Sequence, residues 1–119
     1  MYINEKEIWL VDLEPSKGIE LQKIRPCLVL RKYSKFHFFV LPLTTKEKSS
    51  NIAYCLEGIS FLKKDKNYIN ISQARTLDHQ RFIRRFGELS KKRFELIQIK
   101  TAEVLQLLPQ GASAHNSKL

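Results

Sequence analysis

A chain of 119 residues, 43% of them hydrophobic, can build one core and is too short for two ordinary domains. Its 21 Lys and Arg against 12 Asp and Glu leave a formal charge of +9, which favours polyanions: RNA, DNA, an anionic membrane face or an acidic protein. No run approaches the roughly 18 apolar residues of a membrane span. The start MYINEKEIW lacks the layout of a secretory leader, so the expectation is a soluble, cytoplasmic protein with no membrane partner.

Short apolar runs rich in β-branched and aromatic residues follow one another: EIWLVDL (7–13), PCLVLRK (26–32), HFFVLPL (37–43), IAYCLE (52–57) and YINISQA (68–74). The segments EPSKG, KYSK, TKEKSSN and KKDKN separate them, a cadence that predicts a small, mostly antiparallel β domain. Pro42 inside the third run demotes that run to a strand end or a sheet edge. Cys27 and Cys55 both sit in apolar runs, which predicts buried thiols. Neither His37 nor His79 is close in sequence to activate them.

Towards the end the period changes. KKRFELIQIKTAEVLQLL sets Phe94, Ile97, Thr101, Val104, Leu105 and Leu108 on one helical face, with Ser90 as N-cap. Lys91, Lys92 and Arg93 then occupy the first turn, where the helix dipole disfavours cations; they are either a polyanion contact or a solvated face. The domain is read as residues 1–108, and PQGASAHNSKL (109–119) as a frayed tail.

Three segments carry candidate chemistry. KGIELQKIRPCLVL places Lys17, Glu20, Lys23 and Arg25 in a loop beside a strand; LPLTTKEK ends a strand in Thr44 and Thr45, followed by Lys46 and Lys48; SQARTLDHQR supplies Ser72, Gln73, Arg75 and Asp78. Each has an ordinary reading as exposed charge or strand termination. The histidines do not form a facing acid–base pair in the sequence, no ligand spacing suggests a metal, and no glycine-rich phosphate loop appears, so neither metal nor cofactor is expected.

Taken in order, EIWLVDLEPSKGIELQKIRPCLVL, then FVLPLTT, then ISQARTLD, then a terminal helix resembles the MazF/PemK family of toxin endoribonucleases over about residues 7–108. The resemblance implies an SH3-like small β-barrel with a C-terminal helix. It also implies a homodimer that cleaves single-stranded RNA without metal and is restrained by a cognate acidic antitoxin. By position, Arg25 and Thr44 match the family's catalytic arginine and threonine, and Glu20 matches a loop glutamate suited to act as base. Lys17, Lys23, Thr45, Lys46, Lys48, Ser72, Gln73 and Arg75 become substrate-binding candidates. Several members are acidic just before Gln73 where this chain has Ser72, a poor base, which shifts the role to Glu20 with Arg25. Relatives of the same fold poison DNA gyrase by binding it. A non-cleaving basic module acting on gyrase or nucleic acid is therefore the alternative.

Overall fold

The central strands are apolar on both faces because each face meets a different core. A computed structural model describes residues 1–13 and 24–106. In it β1 (Glu7–Asp12), β2 (Ile24–Lys32) and β3 (His37–Thr44) are followed by β4 (Ala53–Glu57), β5 (Lys66–Asn70), β6 (Arg75–Asp78), β7 (Phe82–Glu88) and helix α1 (Lys91–Val104). All strand pairs are antiparallel, in the order β4-β5-β3-β2-β1-β7, with β6 on β3. Lys17, Gly18, Glu20 and Lys23, together with Leu108 and the tail 109–119, lie outside the described residues.

One 3₁₀ turn, His79–Arg81, joins β6 to β7. Since β6 pairs with β3 and β7 with β1, that turn closes β1, β2, β3, β6 and β7 into a small barrel. Trp9, Val11, Leu13, Cys27, Val29, Phe38, Val40 and Phe82 fill its interior. Phe82 packs edge-on against Trp9 and Phe38, at ring separations of 5.9 and 5.2 Å, a favoured aromatic geometry. The alternate residues of the same strands, including Ile8, Leu28, Leu41 and Leu43, face outward into a second core shared with Leu56, Ile69, Phe94 and Ile97.

The helix begins as its sequence requires: the Ser90 side chain accepts from the Arg93 N–H at 3.2 Å. Phe94, Ile97 and Thr101 are buried, and the Thr101 hydroxyl donates to the Ile97 carbonyl at 2.7 Å. The apolar face is narrower than its pattern suggests, for Leu105 is exposed.

Three expectations are corrected. Pro42 lies within a central strand rather than at an edge. Residues His37–Val40 of β3 pair with β6 and Leu43–Thr44 with β5. Pro42, which has no N–H to give, falls in the gap between those two ladders. Cys27 is buried, but Cys55 is exposed, because alternation along β4 turns it to the solvent face with Glu57 while Leu56 faces the core. The fifth run is not one strand: β5 ends at Asn70 and a 3₁₀ turn, Ile71–Gln73, leads into β6. Strands β6 and β7 were not anticipated. Irregularities in the β1–β7 register, between Ile8 and Trp9 and between Leu10 and Val11, break the alternation by which β7 would be recognised.

Candidate active site

Arg25 and Thr44 reach the same end of the barrel by strand alternation. Cys27 and Val29 face the interior, so one step outward on β2 puts Arg25 at the barrel's mouth. On β3 the interior residues are Phe38 and Val40, and Thr44 shares their parity. The pairings Cys27 with Pro42 and Leu28 with Leu41, carried outward in the same register, set Arg25 opposite Thr44. The Arg25 Nη1 donates to the Leu43 carbonyl at 3.5 Å, tethering the guanidinium beside Thr44.

Among the described residues the Arg25 Nε–H is buried and has no hydrogen-bond acceptor, a costly state for a donor. Thr44 is only 7% exposed, and its Oγ1 accepts from the Lys46 N–H at 3.1 Å. A hydroxyl that accepts one bond still has its proton to donate.

Two further arginines gather here. Arg75, the first residue of β6, donates through Nη2 to the Leu13 carbonyl at 2.6 Å. Arg81 reaches the Asp12 carbonyl through Nη1 at 3.5 Å. The end of β1 thus holds two cations by its carbonyls. Burial pushes the Cys27 thiol up to about 12, while the Arg75 and Arg25 guanidiniums pull the other way. Such a thiol stays protonated and is no nucleophile.

The structure therefore brings Arg25, Thr44 and Arg75 to one mouth and adds Arg81. The other candidates are placed differently. Thr45 turns to the opposite side of the sheet, where with Pro26 it lines a cavity of about 500 Å³. Lys46 is exposed and Lys48 half-buried in the segment after β3. Ser72 donates its hydroxyl to Asn70 Oδ1 at 2.7 Å, and Gln73 is exposed on the same 3₁₀ turn. Asp78 caps the turn between β6 and β7, accepting from the Gln80 N–H at 2.8 Å. His37 contacts Ser34, and His79 packs on Phe36 with ring centroids 5.1 Å apart, at the other end of β3 from Thr44. Among the described residues no group of three His, Cys, Asp or Glu side chains could hold a metal ion.

Chemically, a mouth with a forked cation, a hydroxyl and two supporting arginines suits a phosphodiester, since guanidiniums match phosphate oxygens in pairs. A sequence model of the PemK-like, MazF-like toxins of type II toxin–antitoxin systems matches residues 4–105. The chain belongs to that family. No curated protein matches the sequence. Among solved structures, an endoribonuclease in complex with its cognate antitoxin, from a mycobacterial species, superposes with a TM-score of 0.68 at 18% identity, covering 88% of this chain and 96% of its own. The MazF-mt6 toxin of Mycobacterium tuberculosis gives 0.63 at 15% identity, covering 84% and 96%. MazF from Deinococcus radiodurans gives 0.68 at 16%, covering 89% and 98%. At such identities the likeness is one of fold: mostly antiparallel β-sheet with one C-terminal helix, as in the MazF toxins.

Sequence reasoning missed Arg81, and it missed Phe61, Arg84 and Phe86 around the cavity beyond Thr45. The alternation of cations and aromatics in RFIRRFGE was the available signal for the last two.

Proposed function

We propose that this toxin is an endoribonuclease that cleaves single-stranded RNA without a metal, using the neighbouring 2′-hydroxyl as nucleophile. The observation that carries the reading is the meeting of Arg25 and Thr44 at the barrel mouth, with the Arg25 Nε–H buried and unpartnered among the described residues. The Arg25 fork holds two phosphate oxygens and stabilises the charge that grows on the pentavalent phosphorane. Thr44 donates its proton to the same phosphate, and Arg75 adds positive field from β6.

The 2′-hydroxyl proton must go to a base, and Glu20 is the assigned carboxylate. The P–O5′ bond breaks as the P–O2′ bond forms, and the departing 5′-oxygen takes one proton, for which the Arg25 guanidinium is the candidate donor. The products are a 2′,3′-cyclic phosphate and a 5′-hydroxyl. The +9 charge also suits an acidic antitoxin laid over the same mouth. Ile83, Leu96 and Ile99, exposed on β7 and α1, offer apolar surface for a homodimer. No helix of the described residues is long and apolar enough to cross a membrane.

The test is sequencing of RNA ends after incubation of a mixed single-stranded panel in EDTA. Cyclic-phosphate ends from wild type and none from Arg25→Ala support the reading. Intact RNA with wild type overturns it, and a gyrase supercoiling assay run alongside reads out the alternative.

A further inference from the structure

Pro26 and Thr45 are the chain neighbours of Arg25 and Thr44, and alternation sends them to the opposite side of the sheet. There they line a groove of about 500 Å³, of a size that holds a small ligand. Its remaining wall comes from the β4–β5 loop, through Phe61, Lys63 and Lys64, and from Arg84 and Phe86 on β7. Among the described residues its lining carries three cations and no carboxylate.

The groove is built rather than a chance dent between side chains. An added Cβ at Gly87 would come within 2.5 Å of the Phe61 ring, so the missing side chain is what lets that ring lie against β7. Asn67, buried at 5% exposure, donates to the Lys64 carbonyl at 3.0 Å. Gly58 N–H to Asp65 and Leu62 N–H to Ile59 tie the loop at 3.1 and 3.0 Å. In the same lining, the Arg84 guanidinium carbon stands 4.6 Å from the centre of the Phe86 ring, so a cation and a π face form one platform.

We propose that this groove is a subsite for a nucleotide of single-stranded RNA beyond the two that share the scissile phosphate, its base stacked on the Arg84–Phe86 platform and its phosphate between Lys63 and Lys64. The inference rests on the nuclease reading, since the strand ends that carry Arg25 and Thr44 also carry Pro26 and Thr45. Single-stranded RNA is bound through aromatic or guanidinium planes beside a basic track, and both are present. A peptide with carboxylates alone would use the lysines and leave the platform idle.

Two substrates separate the subsite from the chemistry: a fully 2′-O-methylated heptanucleotide, which lacks the nucleophile and reports binding, and a dinucleoside monophosphate, too short to reach the groove. Lys63→Ala with Lys64→Ala, both exposed, should weaken heptanucleotide binding about tenfold at low salt and flatten its log–log salt dependence by about 0.7, the share of one lost phosphate contact. Phe86→Leu keeps the apolar packing but removes the π face, and should weaken the same binding about fivefold or more. Cleavage of the dinucleoside monophosphate should not change in either variant. Unaltered heptanucleotide binding in both variants, with wild type cleaving normally, overturns the subsite and leaves the nuclease standing. So does a groove that an acidic peptide occupies without competing with the heptanucleotide. Binding lost in the variants while wild type cleaves nothing supports the groove as an RNA-binding site and overturns the nuclease.

Discussion

The Arg25 guanidinium donates to the Leu43 carbonyl at 3.5 Å, so the cation at the start of β2 is fixed against the residue that precedes Thr44 on β3. Among the described residues the buried Nε–H has no acceptor, which leaves it a donor for a ligand. Arg25→Ala should reduce RNA cleavage at least about a hundredfold, the usual effect of losing one donor to a transition-state oxyanion. Stability should hold or rise slightly, because a buried unpaired donor is removed with it. Arg25→Lys keeps the charge but loses the fork, and should recover only a small part of the activity. Metal-free cleavage rates beside thermal melts decide this.

Thr44 has two duties that substitution separates. Its oxygen accepts from the Lys46 N–H, and its proton is assigned to the phosphate. Thr44→Val fills nearly the same volume without the hydroxyl, and should cost about 1 kcal/mol of stability and about a hundredfold in cleavage. Thr44→Ser retains both duties and should stay within severalfold of wild type. Equal activity of Val and Ser variants would remove Thr44 from the chemistry.

Gly87 is held to glycine by the Phe61 ring, not by backbone angle. Gly87→Ala should therefore destabilise by about 1–3 kcal/mol through overpacking. Phe61→Leu in the same chain should return part of that loss. A double-mutant cycle in urea measures the coupling, which should be well above the ~0.5 kcal/mol scatter of independent sites.

The two cysteines should differ sharply in reactivity. Cys27 is buried with its thiol pushed up to about 12, while Cys55 is exposed on β4. Alkylation of the native protein at mildly alkaline pH should label Cys55 alone, and Cys27 should react only after denaturation. Mass spectrometry of the labelled peptides reads both sites. Labelling of native Cys27 at the rate of Cys55 would contradict its place inside the barrel.

The legible parts of the fold were those where chemistry and sequence distance coincide. The runs that became β1, β2 and β3 show as apolar stretches because both faces are buried. The helix showed through its period and its Ser90 cap. Strand β7 was hidden because Ile83, Arg84 and Arg85 are exposed and its register to β1 shifts twice. Arg25 and Thr44 could be read from the motifs around them. The bond from Arg75 to Leu13 spans 62 positions and has no local signature. Nor could parity alone have put Thr45 in the groove behind the mouth, since that needs the β4–β5 loop and β7 brought to the same face.

Glu7 gives a stability signal that can be measured apart from activity. Buried in β1, its carboxylate accepts from the Trp9 Nε1–H at 2.8 Å, the Asn4 N–H at 2.9 Å and the Arg85 Nε–H at 3.0 Å. Burial alone would raise its pKa, but the bonds from Trp9, Asn4 and Arg85 outweigh it and hold the group below its ordinary value. A carboxylate depressed in the folded state contributes stability above its unfolded pKa, and that contribution is lost as pH falls through the folded value. Urea midpoints from neutral pH down to about pH 2 should therefore fall on the acid side, with Glu7 supplying part of the slope. Glu7→Gln keeps the shape and one acceptor, but loses the charge that binds Arg85. It should be weaker than wild type by about 1.5–3 kcal/mol at neutral pH, and the gap should close as the pH falls. A gap independent of pH would mean that Glu7 acts by packing and not by its charge.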